Sequence, residues 1–248
     1  MSRWRVASAS VIGTAHLKRQ TPCQDANRCS VIGDRLICAV SDGAGTAAHA
    51  DIGARIAATH FVQSFTDAQD LAAIDREHMA GFFGSLTEIL CREASENRTS
   101  LSEYACTLLG VVASPVNTIY FQIGDGAIVR PASDPGDYDW VFWPQHGEYA
   151  NTTNFVTQVN AQDVFELCVG PPVNEFAMFS DGLERLILHE ATRRVHAPAL
   201  LPIFQWLRTE PAADDTGAQA LTVYLESDHI NTRTDDDKSL VVAVLAQD

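Results

Sequence analysis

The sequence predicts an α+β fold in which antiparallel sheets carry helices on their outer faces. Three observations lead there. Apolar, strand-like runs come in pairs separated by two-residue turns. Two long stretches place apolar residues at helical spacing. The strands do not alternate one for one with helices, as a parallel βαβ sheet would require.

The elements follow in order. Residues 3–12 read as a first strand. Runs at 27–32 and 35–41 flank Gly33-Asp34, a hairpin signal. From Ala47 to about Phe65 the period becomes helical, with Ile52, Ile56, Ala57, Phe61 and Phe65 on one face. A second helix fits from about Glu77 to Glu96, with Met79, Phe82, Phe83, Leu86, Ile89 and Leu90 inward. Strand-like runs return at 106–114 and 117–124 around Pro115-Val116, followed by short strands at 126–131 and 139–143. The stretch 144–157 is polar and irregular, with Tyr149 and Phe155, and reads as a candidate mobile loop. FELCV and EFAMFS are strands, a helix begins over Leu183 to His189, and helical segments continue near 198–208 and 215–226. DDDKSLVVAVLA closes the chain as a last strand. No repeat or low-complexity linker interrupts residues 1–248, which read as a single domain.

Charge narrows the function. Lys and Arg number 17 against 32 Asp and Glu, a formal net charge of −15. Such a chain has no electrostatic footprint for nucleic acid or an anionic membrane. If it handles phosphate, bound divalent cations must supply the positive charge. The N-terminal MSRWRVASASVIG lacks the apolar core of a secretory signal, and no later run reaches membrane-spanning length. The expectation is a soluble cytoplasmic protein. The six cysteines form no C-x-x-C pair, and several sit in apolar runs, as buried reduced thiols do.

The acids carry the chemistry. Three apolar runs end abruptly in Asp-Gly: LICAVSDGAG at 36–45, TIYFQIGDGA at 118–127 and EFAMFSDGLE at 175–184. Singly, Asp-Gly is a turn. Together, and with Asp235-Asp236-Asp237 immediately before the last strand, the acids can gather at one sheet edge. Clustered carboxylates without interleaved bases are tolerable when they hold hard cations, and Mg2+ and Mn2+ take oxygen ligands. Two such ions roughly 3.5–4 Å apart can activate a water and clamp a phosphoryl oxygen.

The ordered set of motifs resembles a known family. Gly13, His16 and Cys23-Gln24-Asp25 come first, then Asp42-Gly43-Ala44-Gly45, Cys106-Thr107-Leu108, Gly124-Asp125-Gly126, Ser180-Asp181-Gly182-Leu183 and Asp236-Asp237-Lys238-Ser239. No single motif is specific, but their order and spacing over nearly the whole chain resemble the metal-dependent protein phosphatases of the protein phosphatase 2C family. The likeness is strongest to a bacterial subgroup. The resemblance implies a four-layer α/β/β/α sandwich: two antiparallel sheets flanked by helices, with the metal site at one end. It implies two Mn2+ or Mg2+ ions and a weaker third. Asp42 would bridge two of them, the Gly43 carbonyl would join the first, and Asp181 and Asp236 would complete the second. Asp125 with Asp181 would suit the third, and Asp25 would sit in or next to the water shell. Asp236 is chosen because the family's aspartate lies three residues before a Ser or Thr, here Ser239, with Asp235 and Asp237 as the alternatives.

Two departures stand out. Gln20 occupies the place where many members carry a phosphate-gripping Arg, with Lys18 and Arg19 just before it as alternative phosphate ligands. Ala44 stands where eukaryotic members have a histidine often assigned as the general acid. His16 reads either as a substrate contact or proton donor, since imidazole exchanges protons near neutral pH, or as a strand-end histidine bonded to backbone. Thr107 reads as support behind the metals or as strand filler. The segment 144–157 matches the place of a flap over the site in bacterial members.

The function expected is hydrolysis of phosphoserine or phosphothreonine in a protein by a water bridging two metals, in signalling with a cognate Ser/Thr kinase. No G-x-S-x-G elbow or P-loop offers another nucleophile or phosphate cradle. Two alternatives stay open: a phosphoprotein-binding regulatory module of the same fold with little or no catalysis, motivated by Gln20, and a phosphatase acting on small phosphate esters.

Overall fold

A computed structural model describes residues 4–66, 74–146, 153–209 and 216–246. The strands β1 (Trp4–Val11), β2 (Asp25–Ile32), β3 (Arg35–Asp42), β4 (Leu108–Ala113), β5 (Thr118–Ile123), β6 (Ala127–Pro131), β7 (Tyr138–Trp140), β8 (Glu166–Gly170) and β9 (Glu175–Phe179) follow the apolar runs. A short pair, β10 (Leu188–His189) and β11 (Arg194–Val195), precedes the last strand, β12 (Lys238–Leu245). They form two five-stranded antiparallel sheets, ordered β1-β12-β9-β6-β7 and β2-β3-β4-β5-β8.

The strand period explains the layering. Alternate residues of β3 face opposite ways: Ile37 and Ala39 pack under helices, while Leu36, Cys38 and Val40 pack between the sheets. β12 does the same, with Leu240, Val242 and Val244 toward helices and Val241 and Ala243 toward the other sheet. Both strands are therefore covered on both faces, which is why they read as continuous apolar runs. Helices α2 (Ala50–Thr66) and α3 (Arg76–Glu96) cover one sheet through Phe61, Phe65, Phe82 and Phe83. Helices α6 (Ala197–Thr209) and α7 (Thr216–Leu225) cover the other through Leu200, Phe204, Leu221 and Leu225. The four-layer α/β/β/α sandwich is the observed architecture. Each fully buried Leu, Ile or Phe of these layers contributes about 1.5–3 kcal/mol.

Three expectations are corrected. The helix placed over Leu183 to His189 is a 3-10 turn, Asp181–Leu183, followed by one helical turn, α5 (Glu184–Ile187). It stops there because Leu188 and His189 extend to pair with Val195 and Arg194. The first long helix begins at Ala50, not Ala47, and turns precede it. Short helices α1 (Thr14–Arg19), α4 (Ala161–Val164) and α8 (Asp228–Asn231) went unread, since six residues or fewer show no period. The hairpin at Gly33-Asp34 joins β2 to β3 as expected, with Gly33 at φ +59°. All six cysteines are free thiols; Cys38 and Cys106 are buried and Cys91 is exposed.

Strand direction assembles the acids. β3 and β5 are each antiparallel to β4, so both end at one edge, where Asp42 and then Asp125 stand. β9 is antiparallel to β12, so the turn after β9, with Asp181, lies beside the start of β12, with Asp236.

Candidate metal centre

Asp42, Asp125 and Asp181 each direct a carboxylate oxygen to a common point, the three atoms lying within 4.8 Å of one another. They wall a cavity of about 160 Å³ that Gly43, Asp236, His16 and Gln24 also line. No lysine or arginine lines it. A second cavity of about 440 Å³ shares Asp125, Asp181 and Asp236 and opens past Glu184, Arg185 and Arg233.

Backbone contacts hold the ligand side chains in place. Thr107 grips Asp42 from below: its Oγ1 accepts from the Asp42 N–H at 3.0 Å, and its own N–H donates to the Asp42 carbonyl at 2.8 Å. Ser41 Oγ donates to the Thr107 carbonyl at 2.5 Å. Gly124 adopts φ +114°, and a Cβ there would lie 2.4 Å from the Thr107 side chain. Glycine thus lets the turn bearing Asp125 close against the residue that supports Asp42.

Asp237 does not line this cavity. It is 3% exposed and accepts from Gly13 N–H at 2.6 Å, Gln24 N–H at 2.6 Å and His16 Nδ1 at 2.8 Å. A carboxylate taking two backbone N–H donors acts as an acceptor, so His16 Nδ1 carries a proton. The remaining ring nitrogen, Nε2, is the one left for the cavity that His16 lines.

Of the expected site residues, Asp42, Gly43, Asp125, Asp181, Asp236 and His16 surround one cavity. Asp25 does not line it. Asp25 pairs with Asp42 across β2 and β3, is buried, and accepts from Ser180 Oγ at 2.6 Å. Lys18 and Arg19 are exposed at the end of α1 and line neither cavity. Leu17 to Gln20 all face solvent as the helix ends at Gln20 in the left-handed region.

Sequence reasoning passed over Gln24, Thr153 and Phe155, which line the cavity. Gln24 stood in the quoted Cys-Gln-Asp motif; its Oε1 is buried without a partner. Thr153 and Phe155 belong to the expected loop, of which 147–152, with Tyr149, lie outside the described residues. Gln145 anchors both flanks: its Oε1 accepts from Gly124 N–H and Asn154 Nδ2, and its carbonyl accepts from Thr153 Oγ1.

Electrostatics match a cation site. In the metal-free protein, burial and then the Asp25 and Asp181 charges push Asp42 well above the carboxylate range. Burial and then Asp181 raise Asp125 to about 7, and the same two causes raise Asp236. Asp25 rises to about 7, chiefly from burial. An all-oxygen set of carboxylate donors that repel one another, with no lysine or arginine among the lining residues, fits Mg2+ or Mn2+.

A family model described as "Protein phosphatase 2C" matches residues 12–226. Serine/threonine-protein phosphatase 3 of Escherichia coli (strain K12) is 32% identical over 262 aligned residues, covering 98% of this chain and 99% of the relative. A serine/threonine phosphatase of S. agalactiae superposes with TM-score 0.63 at 15% identity, over 98% of this chain and 99% of that one. Serine/threonine phosphatase Stp1 of Staphylococcus aureus gives 0.62 at 14% identity, over 98% and 95%. PppA, described as a regulatory component of the T6SS in Pseudomonas aeruginosa, gives 0.62 at 16%, over 97% of each chain. These structural likenesses show the fold.

Proposed function

The chain belongs to the protein phosphatase 2C family, and from that premise we propose that residues 1–248 act as one catalytic domain, a Mg2+- or Mn2+-dependent serine/threonine protein phosphatase. The observation that carries this reading is the convergence of Asp42, Asp125 and Asp181 within 4.8 Å at the shared edge of the two sheets. Asp42, the Gly43 carbonyl, Asp181 and Asp236 would hold two cations, and Asp125 with Asp181 a third. Bound there, the cations would supply charge for the phosphoryl oxygens and a water made nucleophilic near neutral pH.

The chain's own groups supply the rest. Thr107 fixes the backbone of Asp42 from both sides. Asp25 and Ser180 tie the β2 end to the turn bearing Asp181, so the two sheets hold their carboxylates in register. As water oxygen bonds to phosphorus, the bond from phosphorus to the serine or threonine oxygen breaks, and that oxygen must gain a proton. His16 is the group suited to give it. Asp237 holds Nδ1, directs Nε2 to the cavity and stabilises the imidazolium before transfer. A histidine from α1 thereby takes the task left open by Ala44.

Phosphate release from a phosphothreonine peptide tests the reading, with Mn2+ and with EDTA, for wild type and Asp181→Asn. Mn2+-dependent release, lost in the variant, is expected. Retained Mn2+ binding with no release from any phosphoester would instead favour a phosphoprotein-binding module.

A further inference from the structure

Two arginines stand at the lip of the metal centre. Arg185 on α5 and Arg233 after α8 line the 440 Å³ cavity that contains Asp125, Asp181 and Asp236. The same two residues line a neighbouring groove of about 730 Å³ between α5, α6, α7 and α8. Both are exposed, and among the described residues neither pairs with a carboxylate; Arg233 Nη1 donates to the His229 carbonyl. In a chain of net charge −15, two guanidinium groups without an ion-pair partner at the mouth of one cavity supply positive charge just where an acidic cluster filled by cations would no longer oppose it. Five carboxylates line the same cavity. Asp125, Asp181 and Asp236 belong to the cation site, Glu184 contacts His146 at 3.4 Å, and Asp235 remains at the mouth.

The groove beyond is suited to polypeptide. Pro198, Ile203 and Tyr224 give it apolar walls, and His189, His196 and His229 add polar edges. It is continuous with the metal centre through Arg185, Leu186 and Arg233, which line both spaces. The inner 160 Å³ cavity contains neither arginine, so a phosphoryl group seated there leaves the arginines facing the next part of the substrate.

We propose that Arg185 and Arg233 read an acidic side chain beside the phosphorylated residue, and that the 730 Å³ groove takes the apolar residues beyond it. The inference rests on the phosphatase reading above and names its substrate class: phosphoproteins whose phosphorylated Ser or Thr is flanked by Glu or Asp. Guanidinium groups suit this task because they present a planar fork of donors to a carboxylate.

The test uses full-length protein with Mn2+ and phosphothreonine peptides that differ only in a flanking Glu, Ala or Lys. The ratio of kcat/KM for the Glu peptide to that for the Lys peptide should be roughly five- to tenfold in wild type, as two solvent-exposed charge contacts provide. It should shrink as salt rises. Arg185→Ala with Arg233→Ala should bring it to about one, and Arg185→Glu with Arg233→Glu should invert it in favour of Lys, an outcome misfolding does not produce. Equal turnover of the three peptides by wild type, or an unchanged ratio in the reversed variant, overturns the proposal. Anisotropy with phosphonate analogues of the same peptides separates the groove from the chemistry. Binding that still prefers Glu when nothing is hydrolysed keeps the groove and sinks the phosphatase reading. Hydrolysis without flank preference does the reverse.

Discussion

Asp237 and His16 are joined by a 2.8 Å hydrogen bond across the space between the start of β12 and α1. The contact pins a histidine to the rim of a carboxylate cavity while two backbone N–H groups fix the acid itself. If His16 protonates the leaving oxygen, its loss should hurt poor leaving groups most. His16→Gln is expected to lower kcat on a phosphothreonine peptide by on the order of 10²–10⁴-fold. On nitrophenyl phosphate, whose leaving group needs little help, the loss should be far smaller. Asp237→Asn should show the same leaving-group bias in weaker form. Equal losses on both substrates would remove His16 from proton transfer.

Support for Asp42 should matter almost as much as Asp42. Replacing an outer partner of a metal ligand costs roughly 10–100-fold. Thr107→Val removes the acceptor for the Asp42 N–H while keeping the side-chain shape, and should reduce Mn2+-dependent kcat/KM within that range. Thr107→Ser should restore most of it. Asp42→Asn should lose more than either and should also weaken Mn2+ binding measured by calorimetry. A Thr107→Val enzyme as active as wild type would return Thr107 to strand filler.

Much of this was legible because the strands end so abruptly. An apolar run that stops at Asp-Gly marks both a sheet edge and a carboxylate, and hairpin connections already imply that alternate strands end on one side. The role of Asp237 was not legible. Three consecutive aspartates have identical chemistry, and only the path of the chain through Gly13 and Gln24 sets which one meets two N–H donors and which faces the cavity. Gln24 and Thr107 also act on space and backbone rather than through a motif of charge. Lys18 and Arg19 carry charge that suits phosphate, yet they stand exposed at the end of a six-residue helix and line neither cavity. The cationic side chains that line the outer cavity are Arg185 and Arg233, 48 positions apart in the chain and brought to one space only by the fold.

The raised carboxyls give metal binding a pH signature. Asp25 and Asp125 hold their protons to about pH 7 in the folded, metal-free protein, against an ordinary value of 3.8. Folding therefore favours the protonated forms. That stabilisation is fully present below pH 3.8 and is lost as pH rises through about 7. Bound Mn2+ reverses the preference by neutralising the ionised cluster. The gain in Tm on replacing EDTA with Mn2+ should thus be larger near pH 8 than near pH 5, with the EDTA curve falling over that interval. A gain that is constant across the interval would show that these carboxyls ionise without mutual penalty.

Gly182 makes the last prediction, because the strand end that carries Asp181 must nearly touch the strand start that carries Asp236. A Cβ at position 182 would lie 2.0 Å from the Asp237 carbonyl oxygen, a backbone atom that no side-chain rotation can move. Gly182→Ala must push β12 and the turn after β9 apart, which displaces Asp237 from His16 and changes the spacing of Asp181 and Asp236. Overpacking of this kind costs about 1–3 kcal/mol, and here it should also weaken Mn2+ binding. Gly84→Ala on α3 is the matched control, since a Cβ there meets nothing within 4 Å. Removing a helical glycine should stabilise by about 0.5–1 kcal/mol. Urea denaturation and Mn2+ calorimetry of the two variants should therefore move in opposite directions for stability, with metal affinity changed in Gly182→Ala alone. Unaltered stability and affinity in Gly182→Ala would mean that the two strand ends do not approach as closely as this geometry requires.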